Sequence, residues 1–147
     1  MKDFEPIKFR LLESDNIRIE FFDTTQNANL LLVKIYGKIL DGSNGSLDCD
    51  YISQQVGLAL ISSTYTAVII DLTEMDYRFG NSIINAFMPL ENIRIGEDRY
   101  LKSYVLSDRN KFGLSTLWCF DLESPREPIF YELDDAMKYI EMKYLTE

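Results

Sequence analysis

The amino-acid sequence predicts an α/β fold, and three observations carry this prediction. A β-branched apolar run, Ala67–Leu72, meets a polar loop with one glycine, and an apolar helical face, Ile83–Met88, follows. Apolar strands alternate with segments of helical period along the later part of the chain. The length of 147 residues suits one domain over residues 1–147.

The first two predicted strands precede this central unit. Asn16–Phe22 alternates polar and apolar residues, as a half-buried strand does, and Leu30–Ile39 is more apolar throughout. The intervening segment, Asp23–Asn29, is polar and typical of a turn. We therefore expect the two strands to pair as a hairpin.

The first predicted helix follows a loop rich in turn formers, Asp41–Ser46. Apolar residues recur at helical spacing within Tyr51–Ser62, and Asp48 or Asp50 is the expected cap. In the next helix, after the central strand, Pro89 is expected to end or bend the chain.

The last part of the chain adds two strands and two helices. Tyr100–Leu106 and Ile129–Tyr131 are the strands, and a short helix ending near Trp118 lies between them. Leu133–Tyr144 is an amphipathic helix with acidic residues at its start and Lys143 near its end. The predicted order is ββαβαβαβα, with parallel pairing of the later strands.

Composition excludes several classes of function. The net charge is −9 and the fifteen basic residues form no cluster, so nucleic acid and anionic membranes are not expected ligands. Histidine is absent, which excludes Ser-His-Asp and Cys-His hydrolases and histidine-based metal sites. No metal or cofactor is expected, and a basic protein partner is compatible with the charge.

The cysteines and the start of the chain predict a cytoplasmic protein. Cys49 and Cys119 form no disulfide framework, and no apolar leader follows Met1–Glu5. Asp48 and Asp50 should raise the pKa of the Cys49 thiol. Cys119, between two aromatic residues, is expected to be packed.

Three segments carry a resemblance to a known family. They are Ile35–Asp41, Ala67–Tyr77 and Ile129–Ile140. In order and spacing they resemble the second strand, the central strand with its loop, and the closing strand and helix of STAS domains, named for sulfate transporters and anti-sigma factor antagonists. The resemblance implies a mixed sheet of about five strands with helices mainly on one face. It also implies a regulatory protein that binds another protein and, in the regulatory members of the family, is phosphorylated on a serine by a partner kinase.

The sequence departs from the family pattern at the serine that is phosphorylated in regulatory members. Family members of the regulatory type carry Asp-Ser-Ser-Gly at the start of the helix after the central strand. Here Gly80 and Asn81 fill the two serine positions, and Ser82 lies one residue later. Ser82 is therefore the candidate phosphorylation site. The residues expected to bind a partner lie in and before this loop: Asp76, Tyr77, Arg78, Phe79, Gly80, Asn81 and Ser82.

Two other interpretations concern the same region. Asn81 or Ser82 is a candidate helix cap, and free N–H groups at the helix start would alternatively hold an anion. Asp71, Glu74 and Asp76 follow the strand closely and suit turn or capping roles, although clustered carboxylates also bind cations or perform acid–base chemistry.

Three functions are compatible with the sequence. The first is a non-catalytic regulatory module, whose partner is a kinase-like regulatory protein. The second is an acidic immunity protein that neutralises a basic toxin. The third is a small enzyme with a backbone oxyanion hole near Gly80. We expect a non-enzymatic bacterial protein that binds another protein, and homodimerisation is a further alternative.

Overall fold

A computed structural model describes residues 4–23, 29–62, 64–93, 95 and 98–146. Its centre is a five-stranded sheet in the order β1-β2-β3-β4-β5. The strands are β1 Ile17–Asp23, β2 Leu30–Lys38, β3 Ala67–Asp76, β4 Leu101–Val105 and β5 Ile129–Phe130. β1 runs antiparallel to β2, and the remaining neighbours are parallel. The mixed sheet and the initial hairpin are thus confirmed, while most of the predicted turn Asp23–Asn29 lies outside the described residues.

The helices complete the predicted order. They are α1 Ser46–Ile61, α2 Ile83–Ala86, α3 Pro89–Asn92, α4 Lys111–Trp118 and α5 Leu133–Thr146, and a 3-10 helix, Gly42–Gly45, precedes α1. Pro89 opens α3 because the first helical position needs neither an N–H donor nor a flexible φ. The predicted second helix is therefore two single turns.

The helices divide unequally between the two faces of the sheet. Buried residues of α1 to α4, such as Val56, Ile83 and Leu114, pack with Val68 and Ile70 in the larger core. α5 packs on the other face through Ala136 and Ile140. Parallel strands added in one direction by right-handed connections place their connecting helices on one face, which accounts for this division. Within the described ranges, no helix is both long and apolar enough to cross a membrane.

The start of α1 differs from the prediction. The helix begins at Ser46, and Gly45 occupies the cap position without a side-chain hydrogen bond. Asp48 lies in the first turn and is buried, because its carboxylate accepts hydrogen bonds from the Ser14 hydroxyl (2.6 Å) and the Asn16 amide (3.1 Å). Asp48 therefore links the segment before β1 to α1 and does not act as the helix cap.

β3 continues four residues beyond the predicted end because it contains a β-bulge. Lys34 pairs with Asp71 but Tyr36 pairs with Glu74, so Leu72 and Thr73 of β3 oppose one residue of β2. A bulge of this kind leaves backbone groups without ladder partners. It also redirects the strand just before the predicted site.

Asn110 satisfies the backbone groups around the bulge. Its buried side-chain amide donates to the carbonyl oxygens of Leu72 (2.6 Å) and Met75 (2.9 Å). Its side-chain oxygen accepts from the Ser107 N–H (3.1 Å), and the Ser107 hydroxyl donates to the Thr73 carbonyl (2.9 Å). The loop after β4 is thereby tied to the end of β3.

The two cysteines have opposite environments. Cys49 is fully buried, and burial, followed by the charges of Asp48 and Asp50, raises its pKa to about 12. Cys119 is exposed and takes a left-handed conformation (φ 57°) at the end of α4, so the expectation that it is packed is wrong. The flanking rings pack inward, while the left-handed turn leaves the thiol at the surface.

Replacement of Asn110 by Ala should destabilise the fold by about 3 kcal/mol, because two buried carbonyl oxygens lose their donor. Urea unfolding would measure this loss. The exposed Asn85→Ala variant is the matched control, with a change below about 0.5 kcal/mol. Equal stabilities of the two variants would contradict the assigned role of Asn110.

A maleimide reagent should label one thiol per native chain at about pH 8, because thiolate is the reactive form and Cys49 is both buried and protonated. Mass spectrometry of peptides should place the label on Cys119. Both thiols should react in urea. Rapid labelling of Cys49 in the native protein would contradict the buried position of this residue in α1.

Candidate functional site

The predicted partner-binding loop follows β3 and is closed by one buried tyrosine. The Tyr77 hydroxyl donates to the Gly80 carbonyl oxygen (2.6 Å), and the Tyr77 N–H donates to the Arg109 carbonyl oxygen (3.2 Å). Burial raises the pKa of Tyr77, so its hydroxyl stays a neutral donor. Gly80 has a φ of 130°, a region that side chains strongly disfavour. The chain can therefore make this tight turn only with glycine.

The segment after β2 supports the loop from one side. The Gly42 N–H donates to the Phe79 carbonyl oxygen (3.2 Å), and Arg78 Nε lies 3.3 Å from an oxygen of Asp41. A Cβ on Gly80 would lie 3.0 Å from the Gly42 nitrogen, which shows how closely the two backbones approach. The hydrogen bond from Arg78 lowers the pKa of Asp41. Because this pair is exposed, it orients the loop more than it stabilises the fold.

The start of α4 supports the loop from the other side. A Cβ on Gly113 would lie 2.2 Å from the Arg78 carbonyl oxygen, so any side chain here would displace the loop. This close approach brings Phe112 beside the loop. Phe79 and Phe112 are 58% and 60% exposed and border a depression of about 390 Å³. The depression is lined by Tyr77, Arg78, Phe79, Gly80, Asn81, Phe112, Gly113, Thr116 and Leu117.

The carboxylates predicted to lie together are separated. Glu74 and Asp76 are exposed and face Arg109, at 3.1 and 3.9 Å. Asp71 is buried and accepts hydrogen bonds from the Thr73 N–H and hydroxyl. Side chains alternate along a strand, and the bulge adds a residue between these positions. In the part of the chain that is described, no group of three acidic or cysteine side chains is placed to share a metal ion.

The start of α2 gives no support to an anion site. Ser82 occupies the cap position, but neither it nor another side chain caps the helix. α2 is only four residues long, so few aligned peptide dipoles add up at its start. The N–H groups of Ile84 and Asn85 are already paired with the carbonyl oxygens of Asn81 and Ser82.

The residues predicted to bind a partner have different positions. Asp76, Arg78, Phe79 and Asn81 are exposed, Gly80 and Ser82 are partly exposed, and Tyr77 is buried beneath them. Sequence reasoning missed the supporting residues Asp41, Gly42, Arg109, Asn110, Phe112 and Gly113. A glycine beside an apolar residue at a helix start, as in Phe112-Gly113, was the available signal for close packing of another segment.

Comparisons with known proteins bear on the fold. No protein-family model matches the sequence, and no curated protein matches it. The structure is similar to that of an anti-sigma factor antagonist from Mycobacterium paratuberculosis, with a TM-score of 0.61 and 18% identity over 89% of this chain and 99% of that chain. A STAS domain of an antisigma-factor antagonist from Rhodobacter sphaeroides matches with a TM-score of 0.43 and 8% identity, over 67% and 97% of the two chains.

The first similarity extends over nearly the whole of both chains. The strands and helices of this chain follow the order expected from the sequence. At this identity the similarity establishes architecture and nothing finer. The protein has a STAS-like fold.

Proposed function

We propose that the protein is a non-catalytic regulatory module that binds another protein through the loop after β3. The recognition face consists of Phe79, Asn81, Ser82, Ile84 and Phe112. The observation that carries the proposal is the pair of largely exposed phenylalanines, Phe79 and Phe112, held at fixed positions beside one depression. The similarity to an anti-sigma factor antagonist supports the same class of function.

The energetics favour an interface at this place. Exposed aromatic side chains that lie close together are typical anchors of protein interfaces, where a few rings carry most of the binding free energy. The hydrogen bonds of Tyr77 and Gly42 hold the loop before any partner arrives. A loop that is already ordered loses less conformational entropy on binding, so more of the contact energy is retained as affinity.

The alternatives receive less support from the same geometry. An inhibitor of a basic toxin would need free acidic side chains, yet Asp41, Glu74 and Asp76 at this end of the sheet face arginines. An oxyanion hole needs N–H donors, and the loop instead directs the carbonyl oxygens of Phe79 and Gly80 into its internal hydrogen bonds. Apolar recognition fits the arrangement best.

The partner class to test is the anti-sigma-factor-like kinases encoded in the same genome as this chain. Each would be purified and titrated against the protein by biolayer interferometry. We expect one to bind, and Phe79→Ala or Phe112→Ala to weaken that binding at least about tenfold through loss of an aromatic anchor. Gly80 is unsuitable for substitution because its φ would strain any other residue.

The matched control is Ile61→Ala, which removes an exposed apolar side chain at the far end of α1. It should bind as wild type. If the Phe79→Ala and Phe112→Ala variants bound the partner as tightly as wild-type protein, the interface would lie elsewhere. Binding that survives both changes but falls steeply with salt would favour the basic-toxin alternative.

Ser82 is the proposed site of phosphorylation within this face. Its hydroxyl makes no hydrogen bond within the described part of the chain, and its side chain is partly exposed. A phosphate there would add charge beside Phe79 and Ile84, where desolvation of an anion disfavours an apolar interface. Ser82→Asp should therefore weaken partner binding about tenfold, while Ser82→Ala binds as wild type.

The bound kinase, supplied with ATP, should also incorporate phosphate into wild-type protein and not into Ser82→Ala. Incorporation that persists in Ser82→Ala would assign the modification to another residue. Equal binding by the Asp and Ala variants would refute a switch at this position.

A further inference from the structure

A second concave site lies away from the recognition loop, between α2 and α3 on one side and β4 and α4 on the other. It is a cavity of about 350 Å³, within the size range of small-ligand sites. Three aromatic residues form its wall: Tyr104 lies 5.6 Å from Phe87 and 5.1 Å from Trp118, measured between ring centroids. Phe87 and Trp118 meet edge to face at 6.4 Å. The cavity is therefore shaped by rigid rings that contact one another.

One polar group within this wall lacks a partner. The Tyr104 side chain is only 9% exposed, and among the described residues nothing accepts or donates a hydrogen bond at its hydroxyl. Among the described residues, the Ser103 hydroxyl is the side-chain polar group that is both fully enclosed and without a partner. The Tyr104 hydroxyl also has no partner but is not in this class, so it retains some solvent-accessible surface. Because Tyr104 is otherwise buried and lines the cavity, that surface opens into the cavity.

Such a group is available to a ligand. The Tyr104 hydroxyl has no partner among the described residues, so it can donate a hydrogen bond to a molecule that enters the cavity. Burial raises the pKa of Tyr104, with a smaller contribution from Glu91, so the hydroxyl is a neutral donor at any physiological pH. The cavity thus offers one hydrogen-bond donor inside an aromatic wall.

The charged side chains at the cavity define the ligand further. Lys102 and Arg126 are the cations in its lining, and Glu91 is the carboxylate. Glu91 is bound by Arg99 (3.2 Å) as well as by Lys102, so its charge stays compensated if Lys102 turns to a ligand. Arg126 is held in place by hydrogen bonds to the carbonyl oxygens of Cys119 (2.7 Å) and Trp118 (2.8 Å). The lining carries an excess positive charge in a chain whose net charge is −9.

We propose that this cavity binds a small aromatic carboxylate. The ring packs among Phe87, Trp118 and Ile129, and the carboxylate lies toward Lys102 and Arg126. A carboxylate oxygen or a ring substituent accepts the hydrogen bond from the Tyr104 hydroxyl. This assignment does not rest on the proposed partner, since it uses none of the loop residues Phe79–Ser82, although Ile84 of the proposed recognition face also lines the cavity.

The test uses phenylacetate as the probe and the fluorescence of Trp118, the protein's single tryptophan, as the signal. We expect a saturable change. Neutral phenylacetamide should bind about tenfold more weakly because it lacks the charge that Lys102 and Arg126 attract. Cyclohexylacetate, which keeps the charge but loses the flat ring, should also bind more weakly.

Two variants locate the probe. Tyr104→Phe removes only the hydroxyl and should weaken phenylacetate at least about tenfold, because a hydrogen bond to a charged carboxylate contributes more than a neutral one. Lys102→Gln should reduce the preference for phenylacetate over phenylacetamide, because Arg126 remains as the second cation. Tyr139→Phe is the matched control, because Tyr139 packs on the opposite face of the sheet.

Several results would overturn the proposal: no saturable change with phenylacetate, equal affinity for the acid and the amide, or unchanged affinity in Tyr104→Phe. Isothermal titration calorimetry at the same concentrations guards against a silent fluorescence change. Near-ultraviolet circular dichroism of each variant would verify that the aromatic wall is intact. A preference of wild-type protein for phenylacetate that is smaller in Lys102→Gln would support the assigned orientation.

Discussion

The site depends on one side-chain amide, that of Asn110. A β-bulge near the end of β3 leaves backbone oxygens without ladder partners, and Asn110 donates to the carbonyls of Leu72 and Met75. The bulge turns the strand, and the turn brings Tyr77 inward, where its hydroxyl holds the Gly80 carbonyl. Phe79 is thereby left facing solvent. The contact between Tyr77 and Gly80 is local in sequence, but it depends on two hydrogen bonds that join distant parts of the chain.

Much of the fold could be predicted because its signals are periodic. Alternation in β1, the apolar run of β3 and the apolar stripe of α5 each reflect which face is buried, and the order of elements follows from them. The bulge has no such signal: nothing between Asp71 and Asp76 distinguishes a strand with an extra residue from a loop. Asp48 was wrongly predicted as a helix cap for a related reason. Aspartate is a good cap by residue type, but the tertiary partners Ser14 and Asn16 decide its role instead.

The place of the candidate loop in the fold could be predicted, but the residues that support the loop could not. The end of a central parallel strand is where α/β sheets usually bind ligands or partners, so the loop before α2 stood out. Its supports, Asp41 and Gly113, come from segments about 35 residues away on either side along the chain, a separation at which sequence patterns carry no contact information. Ile84 lines the aromatic cavity and is also part of the proposed recognition face. If occupancy of the cavity changes the position of α2, linkage requires partner and ligand to affect each other's affinity by the same factor.

The reach of Asn110 also has a kinetic consequence. The residue lies 35 and 38 positions after the carbonyl groups that it binds, and β4 must join the sheet before the two can meet. Closing that length of chain carries an entropic cost that local hydrogen bonds in the loop cannot offset. We therefore expect residues 77–82 to reach their final conformation after β3 and β4 have paired. A chain in which β3 and β4 have not paired would have other strands of this fold without the proposed recognition face, so we expect the proposed partner to bind only molecules that have finished folding.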